Sequence, residues 1–440
     1  MYELGEAALK LATSEGAEEA EVYVQTNYST SSDVRNNKIE SAKEQKVEGI
    51  GIRAIINGSV GFASTNISSK VEEAVRRAVS SARVRENDPD WQALPSNSKY
   101  PKVRGIMDEN IKFMELETSL ELTNQMIKSV DELDGVDVTS GSFSRSYGKK
   151  LIMNTNGVNV FEEETLVSGF VDTIARASNP SHISTAYDFQ ISRNLDIDIH
   201  NIGKNAAQLA LKSQNGESIT SQKTDIILHP FAITDLLESS FVPSLNSDNV
   251  QKGRSSLKGK IGEKIGSEEL SIIDSGLLDN GINTSICDDE GSASKETKII
   301  ENGIFNSYLY DSYTAGKDST ESTSNSTRSS YNMIPNIAPR NFILKYPQSN
   351  VVEETADGIY ITSLIGAHTA NSISGDFSVE ARNAFTIKNG EISKPIKSVM
   401  ISGNIFELLH KISGAGFDVR LVGGTVTPSI KLTDMKVIGS

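Results

Sequence analysis

With 440 residues, the chain has room for two or three domains of ordinary size. Its 43 basic and 58 acidic side chains leave a formal charge of -15, and they form no cationic stripe of the kind a nucleic-acid backbone requires. No run approaches the ~20 apolar residues of a membrane span, and the single cysteine, Cys287, excludes an intramolecular disulfide and suits a reducing, cytoplasmic setting.

Leu4, Ala8 and Leu11 fall at helical spacing near the N-terminus, among glutamates that neither a signal nor a transit peptide would carry. Residues 21–25 alternate as a strand, and 47–56 with 59–64 form a hairpin across Asn57-Gly58, a pair that the type I′ turn favours. Ser68 is the expected cap of a helix running to about Arg85, with Val71, Ala74, Val75, Ala78, Val79 and Ala82 on its apolar face. Its arginines, Arg76, Arg77, Arg83 and Arg85, alternate with Glu72, Glu73 and Glu86 and read as a solvated face. Residues 86–105, with Pro89, Trp91 and Pro95, read as a linker.

Helical spacing returns over 113–133, followed by strands at 136–143, 150–154, 158–165, 167–175 and 185–191 and a helix at 199–212. The break at Ser213 to Gly216 marks the expected boundary between an N-terminal domain, 1–216, and a C-terminal domain, 217–440. The predicted fold is α+β: helices on a mostly antiparallel sheet first, then a strand-rich, curled or barrel-like sheet crossed by helices at 231–240 and 404–413. Hairpins are expected at Asn302-Gly303 and Asn389-Gly390, while 311–330, dominated by Ser, Thr, Asn, Asp and Gly, reads as a mobile loop or lid.

None of His182, His200, His229, His368 and His410 shows metal-ligand spacing with another. Asp288-Asp289-Glu290-Gly291 is either a cation grip or a charged turn, and adjacent carboxylates diverge unless the backbone curls. No Gly-x-Ser-x-Gly elbow or Walker loop occurs, Gly49-Ile50-Gly51 lies within a strand, and Cys287 stands beside carboxylates that oppose thiolate formation. The sharpest local signal is Asp225 to His229, an apolar strand delivering a histidine to the start of a helix. A zinc hydrolase would need a glutamate beside that histidine and a second imidazole further on. As plain scaffold the segment also makes sense: Pro230 suits a first helical position, and Ala232/Leu236 and Ile233/Leu237 are i, i+4 apolar pairs.

Taken together, several segments resemble the TldD/PmbA (modulator of DNA gyrase) family. They are Glu48-Gly49-Ile50-Gly51-Ile52-Arg53 with Gly58-Ser59-Val60-Gly61-Phe62-Ala63, then Ile286-Cys287-Asp288-Asp289-Glu290-Gly291 and Ile300-Glu301-Asn302-Gly303. Gly375-Asp376-Phe377-Ser378, Asn389-Gly390-Glu391-Ile392 with Pro395, and Ile401-Ser402-Gly403-Asn404 complete the series. In the TldD branch the resemblance implies a zinc-peptidase helix, His-Glu-x-x-x-His, and a cysteine ligand near the C-terminus. Laid on this chain, those helix positions are His229, Pro230 and Thr234, and the tail from Val422 to Pro428 carries no cysteine.

Proline cannot accept a proton and one imidazole does not hold catalytic zinc. The resemblance is therefore to the TldE/PmbA branch, which lacks the metal ligands. It implies a non-catalytic subunit, without a cofactor of its own, that pairs with a zinc-bearing TldD-like protease subunit to trim or degrade small unfolded peptides. Asp288, Asp289, Glu290, Arg328 and Tyr331 are the residues expected at the substrate or subunit interface. Two alternatives stay open at this level: a self-sufficient homodimeric metallopeptidase using His229 with 288–290, and a peptide-binding regulatory or chaperone-like module. The -15 charge lends nothing to a gyrase connection.

Overall fold

Four strands of 17 to 19 residues organise the first half of the chain: β1 Glu19–Arg35, β2 Lys38–Ile56, β4 Val136–Asn154 and β5 Asn159–Ala175. With β3 Ser59–Thr65 and β6 Ser184–Ser192 they make an antiparallel sheet in the order β3-β2-β1-β4-β5-β6. The computed structural model describes residues 1–177, 179 and 182–439.

One face of this sheet lies under helices, in two separate cores. At one end α1 Tyr2–Ser14 and α2 Val71–Arg83 cover Val22, Ile50, Ile52 and Leu151. Beyond a short helix α3, Glu109–Lys112, the helices α4 Leu116–Asp131 and α5 Ile199–Lys212 cover Val138, Phe143, Val167 and Val171 at the other end. Because strand side chains alternate between faces, the neighbours Glu21, Tyr23, Arg53, Lys150 and Ile152 point away from these helices. They line the face that meets the second half of the chain.

The second half is built on a closed barrel. Strands β7 Gln222–Leu228, β14 Asp357–Ile365, β15 Asp376–Lys388, β17 Val399–Asn404 and β21 Ile430–Gly439 pair in a ring, β14-β7-β21-β17-β15 and back to β14. Only β7 and β14 run parallel in that ring. Closure removes the open edges that an exposed sheet would have to protect. Strand β16 Glu391–Ile396 extends from β15, and β18 Ile412–Ala415 from β21.

A second sheet combines β8 Ser271–Ser275, β9 Glu296–Glu301, β10 Ile304–Phe305, β13 Asn341–Lys345, β19 Arg420–Val422 and β20 Thr425–Thr427. A two-stranded ribbon, β11 Ser326–Thr327 with β12 Asn336–Ile337, stands beside it. Helix α6 Pro230–Leu236 runs through one π-helical turn, Leu237–Phe241, into α7 Val242–Leu245 and then α8 Ser247–Gln251. Its Ile233, Leu236 and Phe241 share a single core with Ile226 and Ile359 of the barrel and Ile272 and Phe342 of the second sheet. Helix α10 Ile405–His410 is capped by Asn404, whose side chain accepts from the Phe406 amide.

Several sequence expectations change here. The separate short strands predicted over 136–154 and 159–175 are single long ones, because cross-strand hydrogen bonds continue through the polar stretches where the hydrophobic alternation fades. Ser68 does not cap α2; it opens a 3₁₀ turn, Ser68–Lys70, that carries no side-chain cap. The predicted loop or lid at 311–330 is built into the interior in part, at 314–315 and 324–326, while 317–321 are exposed. Its helix α9, Ser312–Lys317, is capped by Asp311, and Asn325 and Ser326 are fully buried. Polar groups find buried partners there: the Asn325 side chain donates to Asp274 at 2.7 Å, and the Ser326 backbone amide to Asp288 at 3.2 Å.

The Gly49-Ile50-Gly51 segment of β2 is a seat for Tyr331. A Cβ on Gly49 would stand 2.3 Å from the tyrosine ring, and one on Gly51 2.1 Å from the Tyr331 carbonyl oxygen. The contact at Gly51 is with backbone, which cannot swing aside. Gly51→Ala is therefore expected to destabilise the fold by about 1–3 kcal/mol, as overpacking does, read from the urea unfolding midpoint. Tyr331→Ala, which leaves the backbone carbonyl in place, should not relieve it.

Candidate functional site

Strand β7 delivers His229 to the mouth of α6 in extended backbone, φ -58° and ψ 156°, as the residue that caps the helix. Its Nδ1 accepts the Phe231 amide at 3.2 Å, so the proton of the neutral ring sits on Nε2. Pro230 occupies the first helical position, where its missing N–H costs nothing. Pro230 and Thr234 are four residues apart and share a helix face. Thr234 is buried, and its hydroxyl has no hydrogen-bond partner among the described residues.

The space around His229 is aromatic and cationic. Tyr187, Phe231 and Phe189 stack, with ring centroids 5.3 Å and 5.0 Å apart, and the His229 ring meets Phe231 edge-on at 4.8 Å. Over the Phe231 ring, 4.5 Å from its centroid, lies the guanidinium of Arg420. Arg420 is fixed by an ion pair to buried Asp188 and by donation to the Phe189 carbonyl at 2.6 Å. Asp188 is held further by Asn205 at 3.1 Å and by the Phe189 amide at 2.8 Å. These groups border a cleft of about 260 Å³ that also reaches Tyr360 and Thr362. Burial first, and the Arg420 charge second, push the His229 pKa down to about 4, against Asp418 and a hydrogen bond with the Thr362 backbone.

These residues do not fit a catalytic zinc. The imidazole spends Nδ1 on the helix end, Pro230 and Thr234 offer neither a base nor a good ligand, and the Arg420 guanidinium stands beside them, held by Asp188. No group of three or more His, Cys, Asp or Glu side chains that could hold a metal occurs among the described residues.

Asp288, Asp289, Glu290, Arg328 and Tyr331 come together elsewhere, at the seam between the two halves. Arg53 of β2 sits between Glu21, 2.5 Å away, and Glu290, 2.8 Å away, and none of the three side chains is more than 4% exposed. Glu290 also accepts from Ser312, at 3.1 Å from the amide and 2.7 Å from the hydroxyl. Arg328 closes the chain of charges: it pairs with Glu21, lies 5.0 Å above the Tyr23 ring, and donates its amide to Asp289 at 2.7 Å. The backbone between Asp288 and Ser292 curls so that the Glu290 and Ser292 amides donate to Asp288, at 3.0 Å and 2.9 Å.

Burial and the neighbouring Glu290 raise the Asp288 pKa, whereas Arg53 and Ser312 hold Glu290 below the usual carboxylate range against its burial. The three acids thus form a charged turn whose partners are protein side chains and amides. Burial raises the pKa of Cys287 most, which leaves an inert thiol. His200 is an exposed residue paired with Glu132 at 3.0 Å.

Sequence reasoning passed over Arg420, Asp188, Arg53 and Glu21. For the last two a signal existed, since each is a charge standing alone inside an apolar strand run, Ala20-Glu21-Val22 and Ile52-Arg53-Ala54. Arg420 and Asp188 lie 232 residues apart and nothing local links them.

A closed barrel that hands a strand-borne histidine to a helix, set against a long helix-covered sheet, defines a two-part α+β scaffold. The PmbA/TldA metallopeptidase C-terminal domain matches residues 221–439, the central domain 109–214, and domain 1 20–82. The chain belongs to the PmbA/TldD metallopeptidase family. It is 35% identical to an uncharacterized protein of Methanocaldococcus jannaschii, over 97% of both chains. It is 28% identical to a metalloprotease of Methanothermobacter thermautotrophicus, over 92% of this chain and 89% of that one. Among solved structures, TldE from Thermococcus kodakarensis superposes with a TM-score of 0.93 at 26% identity, covering 99% of this chain and 100% of that one. A putative modulator of a DNA gyrase from Thermotoga maritima gives 0.91 at 26%, with 99% of both chains covered.

Two outcomes follow. In ¹H–¹⁵N spectra the His229 ring should stay neutral from pH 8 to about pH 5, with the proton on Nε2. Its folded pKa lies below the unfolded value of about 6.5, so its contribution to stability is complete above that pH and is lost as pH falls towards about 4. At the seam, Arg53→Met leaves Glu21 and Glu290 buried without their shared cation. It should cost about 3–5 kcal/mol in denaturant unfolding, whereas exposed Lys223→Met should be near neutral.

Proposed function

We propose that this chain is a non-catalytic subunit of a two-subunit PmbA/TldD-type metallopeptidase that trims or degrades small unfolded peptides in the cytoplasm. The zinc in that assembly belongs to a TldD-like partner bearing an intact His-Glu-x-x-x-His. One observation carries the reading: the residues at the family's metal helix are His229, Pro230 and Thr234, with the Arg420 guanidinium packed beside them. A cation in that cleft would face the burial, and then the Arg420 charge, that already depress His229. The similarity to the structure described as TldE supports the same reading.

In this role the chain supplies shape rather than chemistry. Helix α6 and the stacked Tyr187, Phe231 and Phe189 form a rigid wall, and exposed strand edges receive extended peptides through main-chain hydrogen bonds. The test is co-expression with a family member bearing the intact motif. The purified chain alone should contain far less than one zinc per molecule and cleave no peptide, whereas the mixed complex should hold zinc and cleave peptide. Stoichiometric zinc in the isolated chain, lost together with peptidase activity on His229→Ala, would establish a self-sufficient enzyme instead.

A further inference from the structure

A cleft of about 310 Å³ opens between the long sheet and the second half of the chain, on the opposite face of the sheet from its helices. Its wall gathers Lys150, Arg193, Arg328 and Arg340, with Glu164 and Asp289 as the carboxylates. The four cations come from β4, the segment after β6, the segment after β11 and the approach to β13, so only the folded chain assembles them. The volume is at the small end of ligand sites, which run from about 300 Å³ upward.

The carboxylates of this wall are already engaged. Glu164 pairs with Arg193 at 3.1 Å, and Asp289 accepts from Lys150 at 3.3 Å and from the Arg328 amide at 2.7 Å. Behind the wall, Glu162 holds Lys150 at 3.4 Å and Glu21 holds Arg328. The donors are not used up. Arg193 is 6% exposed; its terminal nitrogens donate to the Thr165 and Ile282 carbonyls, yet its Nε has no partner among the described residues. Arg340, 5% exposed, donates through Nε to the Asn283 carbonyl at 3.0 Å and through Nη1 to the Cys287 carbonyl at 3.3 Å. That leaves its Nη2 available, as the third proton of the Lys150 ammonium is. The Glu164 side chain is 37% exposed on a strand face otherwise covered by the second half, so the cleft is open to solvent.

A cleft whose acceptors are paired and whose buried cationic donors are in excess is matched by an acceptor-rich ligand. We infer that this cleft binds a small oxyanion, the phosphate or carboxylate group of a low-molecular-weight compound, held by Arg193, Lys150 and Arg340. The inference is independent of the subunit role above, since neither His229 nor a partner chain enters it.

Calorimetric titration of the full chain in a low-salt, non-coordinating buffer tests it, with inorganic phosphate in one arm and succinate in the other. Saturable one-site binding is expected in at least one arm, and the stronger arm identifies the group. Arg193→Gln should weaken it roughly tenfold or more, the worth of one charge-assisted hydrogen bond. Ser146→Phe fills the cleft from β4 without removing a charge and should abolish binding while leaving the thermal transition cooperative. Lys223→Gln, on the exposed surface, should bind as the parent does. Absence of saturable binding in both arms, or parent-like binding by both Arg193→Gln and Ser146→Phe, overturns the inference.

Discussion

The guanidinium of Arg53, buried between Glu21 and Glu290, is the interaction on which the arrangement of the two halves depends. Two of the three groups lie on the N-terminal sheet and the third on a turn of the second half. Removing such charges from water costs several kcal/mol each, and only close geometry with further hydrogen bonds repays it. The seam supplies both: Ser312 donates twice to Glu290, and Arg328 shares Glu21. An ion network of this kind adds little net stability over an apolar contact, but it tolerates one register alone. It explains why the long strands carry charges on a face that periodicity alone would assign to solvent.

Much of the fold was legible from the sequence because its hydrophobic periods are clean. The α2 face repeats every three to four residues, and the Asn-Gly pairs at 57, 302 and 389 adopt the positive φ pairs that the type I′ turn requires. Strand lengths were not legible. The central parts of β1, β2, β4 and β5 hold together through main-chain pairing while their side chains turn polar, and pairing leaves no trace in one strand's composition. The segment from Asp311 to Ser330 failed for a related reason. Its composition is that of a loop, yet Asn325 and Ser326 are buried, the first donating its side-chain amide to Asp274 and the Ala338 carbonyl and the second its backbone amide to Asp288.

The helix at His229 was legible as a place. What surrounds it was not. Asp188 and Arg420 meet across the junction of the two halves, and their contact with Phe231 is a product of tertiary structure. The same holds for the seam. Asp288 to Glu290 looked like either a cation grip or a solvent-facing turn, and the choice was made by cations supplied from β2 and β4.

The Arg420–Asp188 pair also has a consequence for redesign. Building a His-Glu-x-x-x-His centre into this cleft would take a glutamate at 230, an imidazole at 234, a third ligand in the tail and the removal of a guanidinium. None of these steps is useful before the others. The last of them would strand Asp188, 3% exposed, as a buried carboxylate with one cation fewer. Any metal engineered into this cleft would therefore have to come with a new partner for Asp188.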